Sequence, residues 1–162
     1  MNVRTDFDGV MAAAGGPLYV VTAAGADGPA GCLVGFATQT SIEPSRFLVC
    51  LSRVNRTWRA AAGAAHLGVH LVPATARPLA ERFGGETGDE GGKFAGVAWR
   101  PGPHGVPLLD DCPARFVGRV VTRIDLGDHE GFLLAPEAAD AEEAPPPLDL
   151  ADVADVEPGH PA

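Results

Sequence analysis

A chain of 162 residues and 16.6 kDa, 46% hydrophobic, has enough apolar material for one core and too much for a disordered chain. Its formal charge of −9 is uneven: residues 137–162 hold 8 acids and no Lys or Arg, against 13 acids and 12 bases in the preceding part. A nearly neutral body without a basic stripe argues against nucleic acid, the acidic tail argues against anionic membranes, and no apolar run approaches the roughly 20 residues of a membrane span.

Phe7, Val10, Met11 and Ala14 recur at helical spacing, which predicts a short amphipathic helix over Val3 to Ala14, packed by that face and ended by Gly15-Gly16-Pro17. The opening residues carry no apolar core of signal-peptide type, so a cytoplasmic protein is expected. Leu18 to Thr22 and Ala30 to Ala37 read as a hairpin around the turn Gly25-Ala26-Asp27-Gly28-Pro29. A polar loop over Thr38 to Ser45 then leads into a strand over Phe47 to Leu51. After Ser52 a helix follows, with Asn55 or Thr57 available to cap it. His66 to Val72 alternates as a strand, and Thr75 to Phe83 reads as a second short helix closed by Gly84-Gly85. The Gly-rich stretch Gly85 to Lys93 is a loop, which suits a lid and an inert surface loop equally. Brief strands are expected at Phe94 to Trp99 and Val106 to Leu109, a long one at Ala114 to Leu126, and a last one at Gly131 to Ala135 after the turn Gly127-Asp128-His129-Glu130.

Beyond Pro136 the composition turns to Ala, Glu, Asp and Pro, so residues 137–162 are expected to be a disordered acidic tail, with only Leu148 to Val156 patterned for a packing contact. The summed expectation is a mainly β domain over residues 1–136, a small barrel of six or seven antiparallel strands with short interrupting helices. Cys32, Cys50 and Cys112 are odd in number and lack C-x-x-C spacing, which suits buried reduced thiols.

Two polar clusters fall at the ends of neighbouring strands. Thr38, Gln39, Thr40 and Ser41 combine hydroxyls and an amide suited to the heteroatom edge of a ring or to a phosphate. Ser52, Arg53, Asn55, Arg56 and Thr57 combine donors and positive charge at the start of a helix, where a terminal phosphate could bind. An ordinary Ser/Thr-rich loop and a capped helix would read the same way.

The segment Gly35-Phe36-Ala37-Thr38-Gln39-Thr40-Ser41-Ile42-Glu43-Pro44, followed by Leu48-Val49-Cys50-Leu51-Ser52 and Asn55-Arg56-Thr57, resembles the flavin reductase-like, FMN-binding split-barrel family. His66 to Val72, the helix ending Ala80-Glu81-Arg82-Phe83, Gly105 to Leu109 and Gly127-Asp128-His129 add to the likeness, which covers Phe7 to Pro136. The resemblance implies a split-barrel homodimer that binds FMN, or FAD, and reduces it with NADH or NADPH. The reduced flavin would go to a partner monooxygenase. It assigns Thr38, Gln39, Thr40, Ser41, Ser52, Arg53, Asn55, Arg56 and Thr57 to the flavin, Arg82 and Phe83 to the pocket wall, and His129 to the nicotinamide side. Gln39 and Ser45 depart from the family pattern, where a small residue and a second Pro are frequent.

The rival reading is a non-catalytic module that binds flavin or deazaflavin for electron transfer, since the barrel shape alone does not decide activity. No metal site is expected from spacing: His66 and His70 would lie roughly 13 Å apart along one strand, and His104, Asp110, Asp111 and His129 match no ligand pattern. Neither a nucleophile elbow nor a Cys-His arrangement suggests a hydrolase.

Overall fold

The computed structural model describes residues 2–85, 92–141 and 143–156, and most of the expected lid, together with residues 157–162 of the tail, lies outside them. Its centre is a seven-stranded antiparallel sheet in the order β2-β1-β5-β8-β9-β4-β3. The strands are β1 (Tyr19–Gly25), β2 (Gly28–Val34), β3 (Ala37–Ser41), β4 (Arg46–Ser52), β5 (His66–Leu71), β8 (Arg115–Asp125) and β9 (His129–Asp140). The small pair β6 (Trp99–Pro101) and β7 (Pro107–Leu109) packs against it, and the helices are α1 (Val3–Ala14), α2 (Arg56–Ala62) and α3 (Arg77–Gly85). This is the mainly β, antiparallel split barrel that the sequence predicts.

Strand β1 explains how the layers assemble. Its side chains alternate, so Val21 and Ala23 enter the barrel interior with Cys32, Val34, Val49, Leu51, Leu67, Val69, Phe132 and Leu134. Leu18 and Val20 enter a second cluster with Leu79, Ala80 and Phe83 of α3, and with Phe94 and Leu109. Both faces of β1 are therefore covered. One fully buried polar side chain fastens this second layer to the sheet. His70 Nδ1 lies 3.0 Å from the Val20 carbonyl oxygen, and the Leu109 N–H donates to His70 Nε2 at 3.1 Å. The carbonyl can only accept and Nε2 must accept, so the imidazole is neutral with its proton on Nδ1. Burial, aided by the Arg115 charge, pushes its pKa down to about 4 against the pull of the Val20 bond.

Three expectations need correction. The run Thr38 to Ser41 is not a loop: Ala37 to Gln39 pair with Val49 to Phe47, and Ser41 rejoins at Arg46 after a bulge. Pairing to β4 overrides the weak strand preference of this polar run. Helix α1 forms where expected and is capped by Asn2, but it buries no residue against its own chain, leaving Phe7, Val10 and Met11 exposed.

The expected boundary after Pro136 falls inside β9, and the tail residues 143–156 pack. The Leu148 N–H donates to Val72 O at 2.8 Å, and its carbonyl accepts from the Leu18 N–H at 3.2 Å, so this segment bridges two elements of the body. Leu148 and Val153 are buried in the second cluster. Asp149 accepts from the Ala151 and Gly16 N–H groups, and those bonds hold its carboxyl below the usual range. The acids and prolines face outward or act at turns, while two apolar side chains anchor the segment. No helix among the described residues is long and apolar enough to cross a membrane.

Candidate functional site

A cleft of about 410 Å³ opens between the end of β4, the start of β9, the last turn of α3 and the packed tail. Its walls are mostly apolar, with Leu33, Leu51 and Phe83 on the barrel side and Leu150, Val153 and Val156 from the tail. Cys50, Ser52, Asn55 and His129 supply the polar groups. Ser52 and His129 are direct cross-strand partners in the β4–β9 ladder, which places them on one face. The Ser52 Oγ is buried and has no hydrogen-bond partner among the described residues. A buried hydroxyl left unpaired costs about 1–3 kcal/mol, so the cleft wall holds a polar group suited to a partner that the described residues do not supply.

His129 is fixed from several sides. Its Nδ1 lies 2.7 Å from Asp128 Oδ1, and its ring meets Phe36 at a centroid distance of 5.1 Å. The imidazole beside it holds the Asp128 carboxyl below the usual carboxylate range. The turn that carries His129 is braced by Arg53, whose backbone N–H donates to Asp128 O at 3.0 Å and whose Nε donates to Gly127 O at 3.2 Å. The Arg53 guanidinium also pairs with Asp125 at 2.9 Å and Glu130 at 3.2 Å, and lies over the Trp58 ring. Sequence reasoning placed Arg53 among ligand-binding groups; its described bonds instead position the histidine.

The other predicted residues separate into groups. Asn55 borders the cleft and caps α2, its Oδ1 accepting from the Thr57 N–H at 2.9 Å. Thr57 is buried beside the Cys32 thiol rather than open to the cleft. Arg56 and Thr57 line a second, much smaller cavity with Lys93. Phe83 lines the main cleft, whereas the Arg82 guanidinium donates to the carbonyls of Lys93, at 2.7 Å, and Ala95, tying that loop to α3. Thr38, Gln39 and Thr40 are exposed on β3, at the edge of the sheet, with Ser41 half-buried. Thr38 is paired with Leu48, and alternation along β4 puts Leu48 on the same face as Cys50 and Ser52. The Gln39 side chain donates to Ser41 O at 3.2 Å and so serves the local bulge.

Sequence reasoning missed the wall formed by Leu150, Val153 and Val156, for which the alternation over Leu148 to Val156 was the available signal. It also missed the two cysteines at the cleft. Burial pushes the Cys32 thiol up to about 11, and also raises that of Cys50, so neither is a ready thiolate nucleophile. All three cysteines are free.

Comparison with known proteins agrees with this fold. The chain is 30% identical over 145 residues to the FMN reductase (NADH) RutF of Enterobacter sp. strain 638, covering 90% of this chain and 87% of that protein. Among solved structures, the flavin reductase domain protein from Arthrobacter sp. FB24 superposes with a TM-score of 0.82 at 23% identity, covering 92% of this chain and 91% of that one. Nitrilotriacetate monooxygenase component B from Mycobacterium thermoresistibile superposes with a TM-score of 0.79 at 26% identity, covering 90% and 81%. The model of the flavin reductase-like domain family matches residues 11–153, and with the barrel and cleft described above it follows that this chain belongs to that family.

Proposed function

We propose that the chain is an NAD(P)H:flavin oxidoreductase that binds FMN in the cleft, takes its electrons from NADH, and releases reduced flavin to a partner monooxygenase. The observation that carries this reading is the Ser52 hydroxyl, unpaired among the described residues, in the wall of a mostly apolar cleft and directly across the ladder from His129. A flavin matches that donor set, with an apolar benzenoid half for Leu33, Leu51 and Phe83 and a heteroatom edge for Ser52. When bound, flavin supplies the redox chemistry by accepting a hydride from reduced nicotinamide.

The residues of this chain orient and shelter that exchange. Ser52 rotates its hydroxyl to meet the ring edge, and the tail residues Leu150, Val153 and Val156 keep water from the apolar side. The outer edge of β3, from Thr38 to Ser41, offers backbone N–H groups that no strand among the described residues takes. Arg56 is assigned to the phosphate end. A carboxylate can only accept, so His129 carries a hydrogen on Nδ1 toward Asp128, and its Nε2 edge is the one turned to the nicotinamide carboxamide.

NADH and FMN are preferred because the RutF relative is named for both, and the partner oxygenase follows from the component B similarity. A cytoplasmic site of action suits a nicotinamide donor and three free cysteines. The dimer is inferred from apolar side chains left outside: Phe7 and Val10 on α1 are 58% and 60% exposed, and Ile42 beside the β3 edge is 82% exposed. A second copy covering α1 accounts for them. Phe7→Asp is expected to convert a dimer into monomer in sedimentation equilibrium, and a native protein that is already monomeric would refute the dimer.

The functional test is anaerobic. Purified protein with FMN should lose the oxidised-flavin absorbance band on addition of NADH, more slowly with NADPH. Ser52→Ala should weaken FMN binding about tenfold in a fluorescence titration. Flavin retained without bleaching would move the assignment to an electron-transfer module, and no flavin binding would end it.

A further inference from the structure

We propose that His66, His104 and Glu137 form a binding site for a divalent transition metal of the zinc class, remote from the cleft. His66 Nε2 lies 3.1 Å from Glu137 Oε1, and the His66 and His104 rings stack at a centroid distance of 3.6 Å, tilted by 7°. One donor atom from each residue falls within 4.8 Å of the others. Three separate segments converge here, two of them through an unusual piece of backbone. In the β8–β9 ladder Gly118 faces Pro136 and Val117 faces Ala138, so Glu137 is the extra residue of a bulge. Bulges re-aim a side chain that regular alternation would send elsewhere. His104 sits at the tip of the β6–β7 hairpin with φ +59°, in a turn closed by the Gly105 N–H to Gly102 O and the Gly102 N–H to Val106 O. Histidine is among the side chains that enter this left-handed region most readily, and here the turn lays its ring over His66.

Two imidazoles and one carboxylate are donors for zinc-class ions, whereas magnesium and calcium favour all-oxygen sites. Metal–ligand bonds near 2.1 Å put neighbouring donors roughly 3.4 Å apart, so closure needs a movement of about 1–1.5 Å, within reach of a rotation of the exposed His104. Arg119 is the competitor, its Nε 3.5 Å from the same Glu137 oxygen. Three protein donors leave the remaining positions to water, which describes an exchangeable clasp joining the β6–β7 hairpin to the main sheet. Glu137 and His129 lie on the same strand roughly 26 Å apart, so the ion takes no part in the cleft. No local spacing in the sequence could show it, because the three donors come from three segments.

The test is a calorimetric titration of the untagged, chelator-stripped full chain with zinc chloride, repeated with cobalt(II) followed by its visible absorbance. One ion per chain is expected, with a rise in melting temperature. His104→Asn, which keeps a residue tolerant of the turn, and Glu137→Gln should each weaken binding by at least about tenfold and abolish that rise. Arg119→Ala should tighten binding, and flavin reduction should keep its native rate in the His104 and Glu137 variants. Absence of zinc binding by the native chain, or equal affinity in the His104 and Glu137 variants, would overturn the proposal.

Discussion

His129→Ala is expected to slow NADH-dependent flavin reduction about 100-fold while leaving FMN affinity nearly unchanged. The asymmetry follows from where the ring sits. Ser52, its cross-strand partner, remains to meet the flavin, as do the apolar walls from Leu33, Leu51 and Phe83. What disappears is the imidazole of the cleft, held by Asp128 at 2.7 Å and braced against Phe36, that can fix the carboxamide of the donor. A misplacement of about 1 Å between reacting partners is enough to cost that much rate. Anaerobic stopped-flow mixing separates the two quantities, because the bleaching rate at saturating NADH reports transfer and its dependence on flavin reports binding. A native bleaching rate in the variant would remove His129 from the reaction.

The largest effect on stability is expected at His70. Truncation to Ala would open a cavity between the barrel and the second layer. It would also leave the Val20 carbonyl and the Leu109 N–H without their bonds, for a loss of about 4 kcal/mol in urea unfolding. The same residue gives stability a pH dependence of definite sign. The unfolded chain takes up a proton near the ordinary value of 6.5, whereas the folded ring resists until about 4. Above 6.5 neither state is protonated and the full stability is present. Between 6.5 and about 4 the unfolded state binds the proton that the folded state refuses, so stability falls with pH, by about 3 kcal/mol over the window. Urea midpoints measured across that range should decline, and a flat profile would contradict a buried neutral His70.

Much of the fold could be read from the sequence because its signals are local. Helix α1 shows its period, β1 and β5 show their apolar runs, and the two-residue turn Ala26-Asp27 lies between Gly25 and Gly28, which face each other in the hairpin. Strand β3 was hidden because Thr-Gln-Thr-Ser carries no apolar alternation, and only the partner strand β4 makes it a strand. The tail was hidden for a related reason. Leu148 and Val153 anchor it within a composition of Pro, Ala and Asp that by itself reads as disorder.

The site was legible in part. Ser52, Asn55, Phe83 and His129 border one cleft, drawn from three places in the sequence. Arginine charge is visible in a sequence, but its partner is not: Arg53 is committed to Asp125 and Glu130, and Arg82 to two backbone carbonyls. Arg115, Arg119 and Arg123, evenly spaced in β8, likewise diverge, toward Leu109 O, Glu137 and the carbonyls of Ala61 and Ala64 respectively. In β8 Val120 faces Leu134 and Thr122 faces Leu133, so Val121 is a bulge that breaks the alternation between Arg119 and Arg123.

The walls of the cleft run from Leu18 to Val156, so the cleft is incomplete on a ribosome-bound chain until Val156 has emerged. The barrel can close earlier, since its interior cluster ends at Leu134. On the proposed reading, flavin capture is therefore a late event in the life of each new molecule, after the barrel has formed. For the same reason, a reporter placed on the C-terminal side of Val156 needs enough spacer to stay clear of the rim of the cleft.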